Sequence, residues 1–186
     1  MTHPADSPQV IAVSSSTSHD TIDKTNRDSI TLLAGIGVEA DAHAGATVQN
    51  PWKVRLDPTA PNLSQVHLLA AELLDTLAQA GYPVTPGQLG ENITTRGITL
   101  ETLPHGTLLH IGDDAVLRLT GLRDPCRRIN SLHPRLLKQV LHRHQDGTLV
   151  RRAGVMAVVV ATGRITPGMT VHAELPPLPH TPLPPV

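Results

Sequence analysis

Aromatic residues are nearly missing from this chain. Its 186 residues include no Phe, one Trp (Trp52) and one Tyr (Tyr82). Proteins that grip single-stranded nucleic acid stack bases on several rings, so the sequence argues against that class. A dominant sign of charge is missing too. The formal net charge is −1 at pH 7, and no global basic field gathers polyanions. Cysteine occurs once, as Cys126, which excludes an intramolecular disulfide and fits a reducing compartment. There is no Cys-x-x-Cys, no His-Glu-x-x-His and no Gly-x-Ser-x-Gly, so a structural zinc site and a hydrolase triad are not expected. No apolar run approaches the roughly 20 residues that span a bilayer. The longest, Val155–Ala161, is strand-sized. The first residues carry neither a basic segment nor an apolar one, so no secretory signal is read there. The expected location is the cytoplasm, away from membranes.

What is present is ordinary globular material rich in turn formers. Hydrophobic residues make up 39% and charged residues 17%, with 17 Pro and 14 Gly. This length suits one domain with a real core. Residues 1–8 read as a flexible N-terminus, residues 9–174 as the domain, and residues 175–186, with six prolines, as a flexible appendage outside the sheet. Strands are expected at Gln9–Val13, Ser29–Leu33, Glu91–Thr95 and Thr170–Ala173. Thr107–Ile111 and Ala115–Gly121 flank Gly112-Asp-Asp114 and predict a hairpin. Val155–Thr162 predicts a strand buried on both faces. Helical spacing of Val66, Leu69, Ala70, Leu73, Leu77 and Ala80 predicts a helix over Ser64–Ala80, capped by Ser64 and closed by Gly81. A weaker pattern predicts a second helix over Pro134–His144, on which His142 and His144 point apart. The sum is a mainly β, α+β fold: a β-barrel or strongly bent sheet with peripheral helices.

Cys126 leads the candidates for chemistry. It lies just beyond a predicted strand end, among Arg123, Asp124, Pro125, Arg127 and Arg128. Nearby cations favour the thiolate, which attacks sulfur, carries a persulfide or binds a soft metal. The alternative is a small buried hydrophobe, which is what many lone cysteines are. Arg123, Arg127 and Arg128 suit a phosphate or carboxylate, or else form a solvated turn. In Gly35–Gly45, Asp41 and His43 stand two apart and share a face if extended; alternatively Asp41 caps a turn. His43 is a candidate proton donor or acceptor. Glu91 and Asn92 follow Gly90 and suit the edge of a heterocycle, or ordinary loop bonding.

Five segments in order carry a resemblance: Gly37-Val-Glu-Ala-Asp-Ala-His-Ala-Gly45, Asn62-Leu-Ser-Gln-Val-His67, Gly87-Gln-Leu-Gly-Glu-Asn-Ile93, Thr120-Gly-Leu-Arg-Asp-Pro-Cys126 and Gly154-Val-Met-Ala-Val158. Together they resemble the MOSC domain, named for the C-terminal domain of molybdenum cofactor sulfurases, in its short standalone bacterial type. The resemblance runs from about Val10 to Glu174. It implies a MOSC-type β-barrel and binding of molybdenum cofactor (molybdopterin). It also implies that Cys126 is the molybdenum ligand or sulfur carrier, with His43 catalytic beside it. By the same resemblance Glu91, Asn92 and Arg123 would line the same pocket. Asp41, Arg127 and Arg128 join them as cofactor-binding candidates from their own chemistry, the arginines for the phosphate of a pterin.

The larger relatives carry a pyridoxal-phosphate desulfurase domain, for which this chain has no room. Lys24, Lys53 and Lys138 are the candidate Schiff-base lysines, and none has a recognisable cofactor setting, so no pyridoxal phosphate is expected. A separate electron donor or cysteine desulfurase is the implied partner. Two function classes stay open. One is an enzyme that reduces N-hydroxylated compounds or transfers sulfur. The other is a non-catalytic carrier of cofactor or sulfur.

Overall fold

The run Val155–Ala161 lies in the middle of the main sheet in the computed structural model, which describes residues 7–143 and 145–186. The strands are β1 (Gln9–Ser15), β2 (Thr25–Arg27), β3 (Ile30–Leu33), β4 (Gly37–Val38), β5 (Val66–Ala70), β6 (Ile93–Arg96), β7 (Leu108–Ile111), β8 (Ala115–Leu122), β9 (Leu141–Arg143), β10 (Leu149–Arg151), β11 (Val155–Ala161), β12 (Gly163–Ile165) and β13 (Val171–Glu174). Helices α1 (Pro51–Leu56), α2 (Ala71–Gln79) and α3 (Leu136–Val140) lie among them. The eight-stranded sheet runs β13–β7–β8–β11–β5–β6–β1–β2. Among the strand pairs of the described residues, only β5–β6 is parallel. β12, β3 and β4 form a small second sheet, and β9 and β10 pair as a hairpin.

The mainly β fold agrees with the sequence reading, and the hairpin of β7 and β8 lies where it was expected. The sheet is not closed into a continuous barrel. Its two sides meet through a few backbone bonds: Val10 N–H donates to Met169 O, Gly168 N–H to Val10 O, and Val171 N–H to Pro8 O, each at 2.8 Å. β11 is fully buried on one face only: Val155, Ala157 and Val159 are buried, whereas Val160 is exposed.

The helix expected over Ser64–Ala80 starts only at Ala71. The preceding five residues form β5, between β11 and β6, and all five are buried. A strand covered on both faces has no polar alternation, so its apolar run imitates a helix stripe. Ser64 therefore caps nothing, and the N-cap of α2 is Ala70 without a side-chain bond. Gly81 does end the helix, at φ +85°. The second helix is cut short in the same way. α3 stops at Val140, and Leu141–Arg143 leaves it as β9. His144 and residues 1–6 lie outside the described residues, and with them most of the expected flexible N-terminus.

The core has two parts. One fills the sheet interior around Leu68, Ile93, Leu109, Leu117 and Leu119. The other joins α2 to the segment after β8, through Leu69, Leu73, Leu77, Ile129, Leu136, Val140 and Ala153. The proline-rich tail, expected outside the sheet, lies along β8. Leu122 N–H donates to Pro184 O at 2.7 Å, Val186 N–H donates to Leu122 O at 3.1 Å, and Leu183 is buried in the sheet core. Prolines keep their carbonyls, so such a strip can still accept bonds at an edge. Among the described residues, no helix is long and apolar enough to cross a membrane.

Candidate active site

A cavity of about 580 Å³ opens beside the ends of β5 and β8, where loops converge. One wall comes from the loops after β1 and β4, together with Gly90 and Asn92 before β6 and His67 on β5. The facing wall is the segment after β8, with Arg123, Asp124, Cys126 and Arg128. Trp52 stands at the start of α1, and Pro185 and Val186 of the tail complete the lining.

Asp41 organises the first wall. The chain turns at Ala40, with φ +58°, and Asp41 then caps the next residues as a turn former does. Its Oδ1 accepts from His43 N–H at 3.0 Å, and its Oδ2 accepts from Ser16 N–H at 3.1 Å. Lys24 Nζ reaches both oxygens, at 2.8 and 2.7 Å, with both side chains buried. Asn92 Nδ2 donates to Oδ2 at 3.0 Å. Burial alone would raise the Asp41 pKa, but the bonds from His43 and the Lys24 charge outweigh it and hold the carboxyl well below its usual range. Burial lowers the Lys24 pKa, and Asp41 opposes that shift.

Asp41 also sets His43. The imidazole Nδ1 lies 3.2 Å from Asp41 Oδ1. A carboxylate only accepts, so Nδ1 carries the proton there and a neutral ring keeps Nε2 as an acceptor. His43 is part-exposed and lines the cavity. Its ring meets His19 edge-on, with centroids 4.6 Å apart. Partial burial, and then the neighbouring His43, lower the His19 pKa.

Behind this wall the polar groups are bonded inward. Asn92 Oδ1 accepts from His67 N–H at 3.1 Å, and its Nδ2 also reaches Ser14 O at 3.2 Å. Its amide is thus held by protein partners, not offered as a free heterocycle-reading edge. His67 Nε2 bonds Ala153 O at 2.7 Å, and burial holds its pKa well below the ordinary histidine value. Gly154 permits this approach. At φ +84°, a Cβ there would lie 2.2 Å from Leu68 O and 2.9 Å from His67 Nε2.

The Cys126 wall is built differently. Arg123 N–H bonds Gly154 O at 3.0 Å, which anchors the chain as it leaves β8. The Arg123 guanidinium turns inward, and its Nη1 is buried without a partner. Burial lowers its pKa, opposed by neighbouring Cys126, Glu91 and Asp124. Glu91 Oε1 accepts from Gly87 N–H at 2.7 Å and Thr94 Oγ1–H at 3.2 Å, while Oε2 is buried and unpartnered. Burial raises the Glu91 pKa, against these bonds and Arg123. Cys126 follows the buried Pro125 and is exposed, which answers the question of whether this thiol is a core residue. Arg128 Nη2 donates to His19 O at 2.8 Å and to Asp20 O, tying the two walls together.

The cavity therefore brings together Cys126, His43, Asn92, Arg123 and Arg128 of the residues marked from sequence. Asp41 and Glu91 stand behind its wall, and exposed Arg127 lies outside the lining. Sequence reading missed Lys24, His67, His19 and Trp52 as lining residues. His67 closes one of the five quoted segments and was the most findable of them. Among the described residues, no group of three His, Cys, Asp or Glu could hold a metal ion by itself.

Residues 55–172 match the sequence profile of the MOSC domain, well over half of the chain. The protein belongs to the MOSC family. As a MOSC protein it is similar in structure to the YuaD protein of Bacillus subtilis, with TM-score 0.71 and 17% identity over 92% of this chain and 97% of that one. YiiM of Geobacillus stearothermophilus matches with TM-score 0.59 and 21% identity, over 90% of this chain and 75% of that one. These two likenesses speak for the fold. Among curated proteins, a Gibberella moniliformis protein named "Reductase" is 33% identical over 87 residues, or 46% of this chain. The match spans only 14% of that protein's length.

Proposed function

We propose that this MOSC protein binds molybdenum cofactor with Cys126 as the protein's ligand to the metal, and reduces N-hydroxylated compounds. One observation carries the reading: a single cavity holds the chain's sole, exposed thiol beside the buried, unpartnered Arg123 Nη1. An anionic ligand satisfies that guanidinium, and a soft metal suits that thiol. Since no three-residue cage exists among the described residues, the metal would have to arrive with its own ligands. The donor set present therefore fits the cofactor. Arg123, with Arg128 at the edge, would hold its phosphate, and Cys126 its metal.

When bound, the cofactor supplies two-electron redox chemistry. Reducing an N–OH group breaks the N–O bond, consumes two electrons and two protons, and releases water. In this reading His43 handles a proton at Nε2, and the Asp41 contact at its other nitrogen supports that role. Lys24 in turn holds Asp41 ionised and immobile. Trp52, Pro185 and Val186 line the cavity, so a bound substrate would displace water between them and the reacting group. The "Reductase" relative supports this version over sulfur carriage. The sulfur alternative rests on the same exposed thiol. There, Cys126 would attack a partner's persulfide, taking its outer sulfur and releasing the partner's thiolate.

The test is metal and pterin analysis of protein made in a host that synthesises the cofactor, with Cys126→Ser alongside. Wild type is expected to carry molybdenum and pterin, and the variant to lose the metal. Equal molybdenum in both would sink the ligand assignment. A wild-type protein that instead gains one sulfur on Cys126 from a desulfurase, and no metal, would favour sulfur carriage.

A further inference from the structure

The charges of this chain are segregated in a way its net charge conceals. Residues 123–152 contain eight of the fifteen Lys and Arg but two of the sixteen Asp and Glu. That stretch carries +6, and the rest of the chain −7. It folds as one lobe: the turn Arg127–Ser131, α3, β9 and β10 pack on one another outside the main sheet. Ile129, Leu136, Val140 and Ala153 seat the lobe on α2, each fully buried. The surface is therefore held in place before any partner arrives.

Its cations are largely unneutralised. Arg151 pairs with Asp124 at 2.8 Å, whereas Arg127, Arg135 and Lys138 are exposed and make no ion pair among the described residues. Arg152 lies apart from them, lining a separate hollow with Glu72 and Glu101. Cys126 opens the lobe, exposed, at the N-cap of its first turn. Arg127 directly follows Cys126, and α3, with Arg135 at its N-cap and Lys138 within it, packs on the turn that Cys126 caps, so a macromolecule drawn to these cations would be brought to the cavity's cysteine wall.

We propose that the lobe is the docking surface for an acidic electron-carrier protein, a flavin or iron–sulfur domain, which delivers the electrons that the cavity consumes. This rests on the reductase reading above. The occupant follows from charge complementarity and from what the site needs. The reduction consumes two electrons per turnover, and none of the chemistry-bearing residues of this cavity supplies them. A cationic lobe on an otherwise acidic molecule attracts an acidic carrier and orients it, so association accelerates at low salt. Nucleic acid would seek the same charge, but the lobe offers no Trp, Tyr or Phe on which to stack a base.

The probe is an acidic flavodoxin, followed with cofactor-loaded wild type and the double variant Arg135→Asn, Lys138→Gln. Both positions lie outside the cavity lining, and Asn tolerates the left-handed backbone at Arg135, φ +69°. The expected result is association that weakens as salt rises, and falls about tenfold or more in the variant at low salt. Dithionite-driven turnover should be the same in both proteins. Binding indifferent to salt and to the double variant overturns the proposal, as does no binding by wild type at low salt. Tighter binding to a DNA duplex or to anionic vesicles than to flavodoxin overturns it too. Absent dithionite-driven turnover in wild type would instead overturn the reductase reading, since direct binding is measured without it.

Discussion

The two walls of the cavity are opposites in how their polar groups are used. On the Asp41 side, both carboxylate oxygens, the Lys24 ammonium and the Asn92 amide spend their bonds on each other. On the Cys126 side, a thiol is exposed, Arg123 Nη1 and Glu91 Oε2 have no partner, and the lobe beyond carries uncompensated charge. Saturated bonding gives a fixed geometry and little capacity for anything new. Unspent donors cost stability in the empty protein and are available to a ligand. The difference teaches which wall orients and which wall binds.

The sharpest way to break this contrast is Asp41→Asn. It strands the buried Lys24 charge, so a loss of about 3–5 kcal/mol is expected in urea unfolding. Lys24→Met in that background should recover part of the loss; a single-variant cost under about 1 kcal/mol would mean the wall is not held this way. The acid limb sharpens the same point. A folded-state pKa depressed below the unfolded value gives stability that is present above pH about 4 and lost as pH falls. Wild type should therefore lose stability below that pH more steeply than Asp41→Asn, measured by unfolding midpoints at stepped pH. His67→Phe comes next, because it leaves Ala153 O buried without its imidazole partner. About 1–3 kcal/mol is expected, and a neutral result would show that the carbonyl finds water instead. Cys126→Ser should be the mildest for folding, within about 0.5 kcal/mol by the same measurement. A large loss there would place the thiol in the packing after all.

Much of the sheet was legible in the sequence because its strands alternate or sit beside unmistakable turns. β1, β3 and the β7–β8 hairpin are of that kind. β5 was not, because total burial erases the alternation that separates strand from helix. The site divides along similar lines. Cys126, Arg123 and His43 stand in short segments whose chemistry is visible locally. Lys24 lies in the polar stretch Asp20–Asn26 and gains meaning only from Asp41, 17 residues on and reached by folding. The tail was misread because proline count reports lost donors, whereas its docking uses accepted bonds and the buried Leu183.

The near absence of aromatic residues has a last consequence. Trp52, the chain's single tryptophan, is 66% exposed and stands at the cavity's edge. Its ultraviolet emission therefore reports on that edge alone, with no second indole to dilute the signal. A pterin or a planar substrate entering the cavity would change the colour and yield of that one fluorophore. The protein thus carries a label-free optical gauge of its own occupancy.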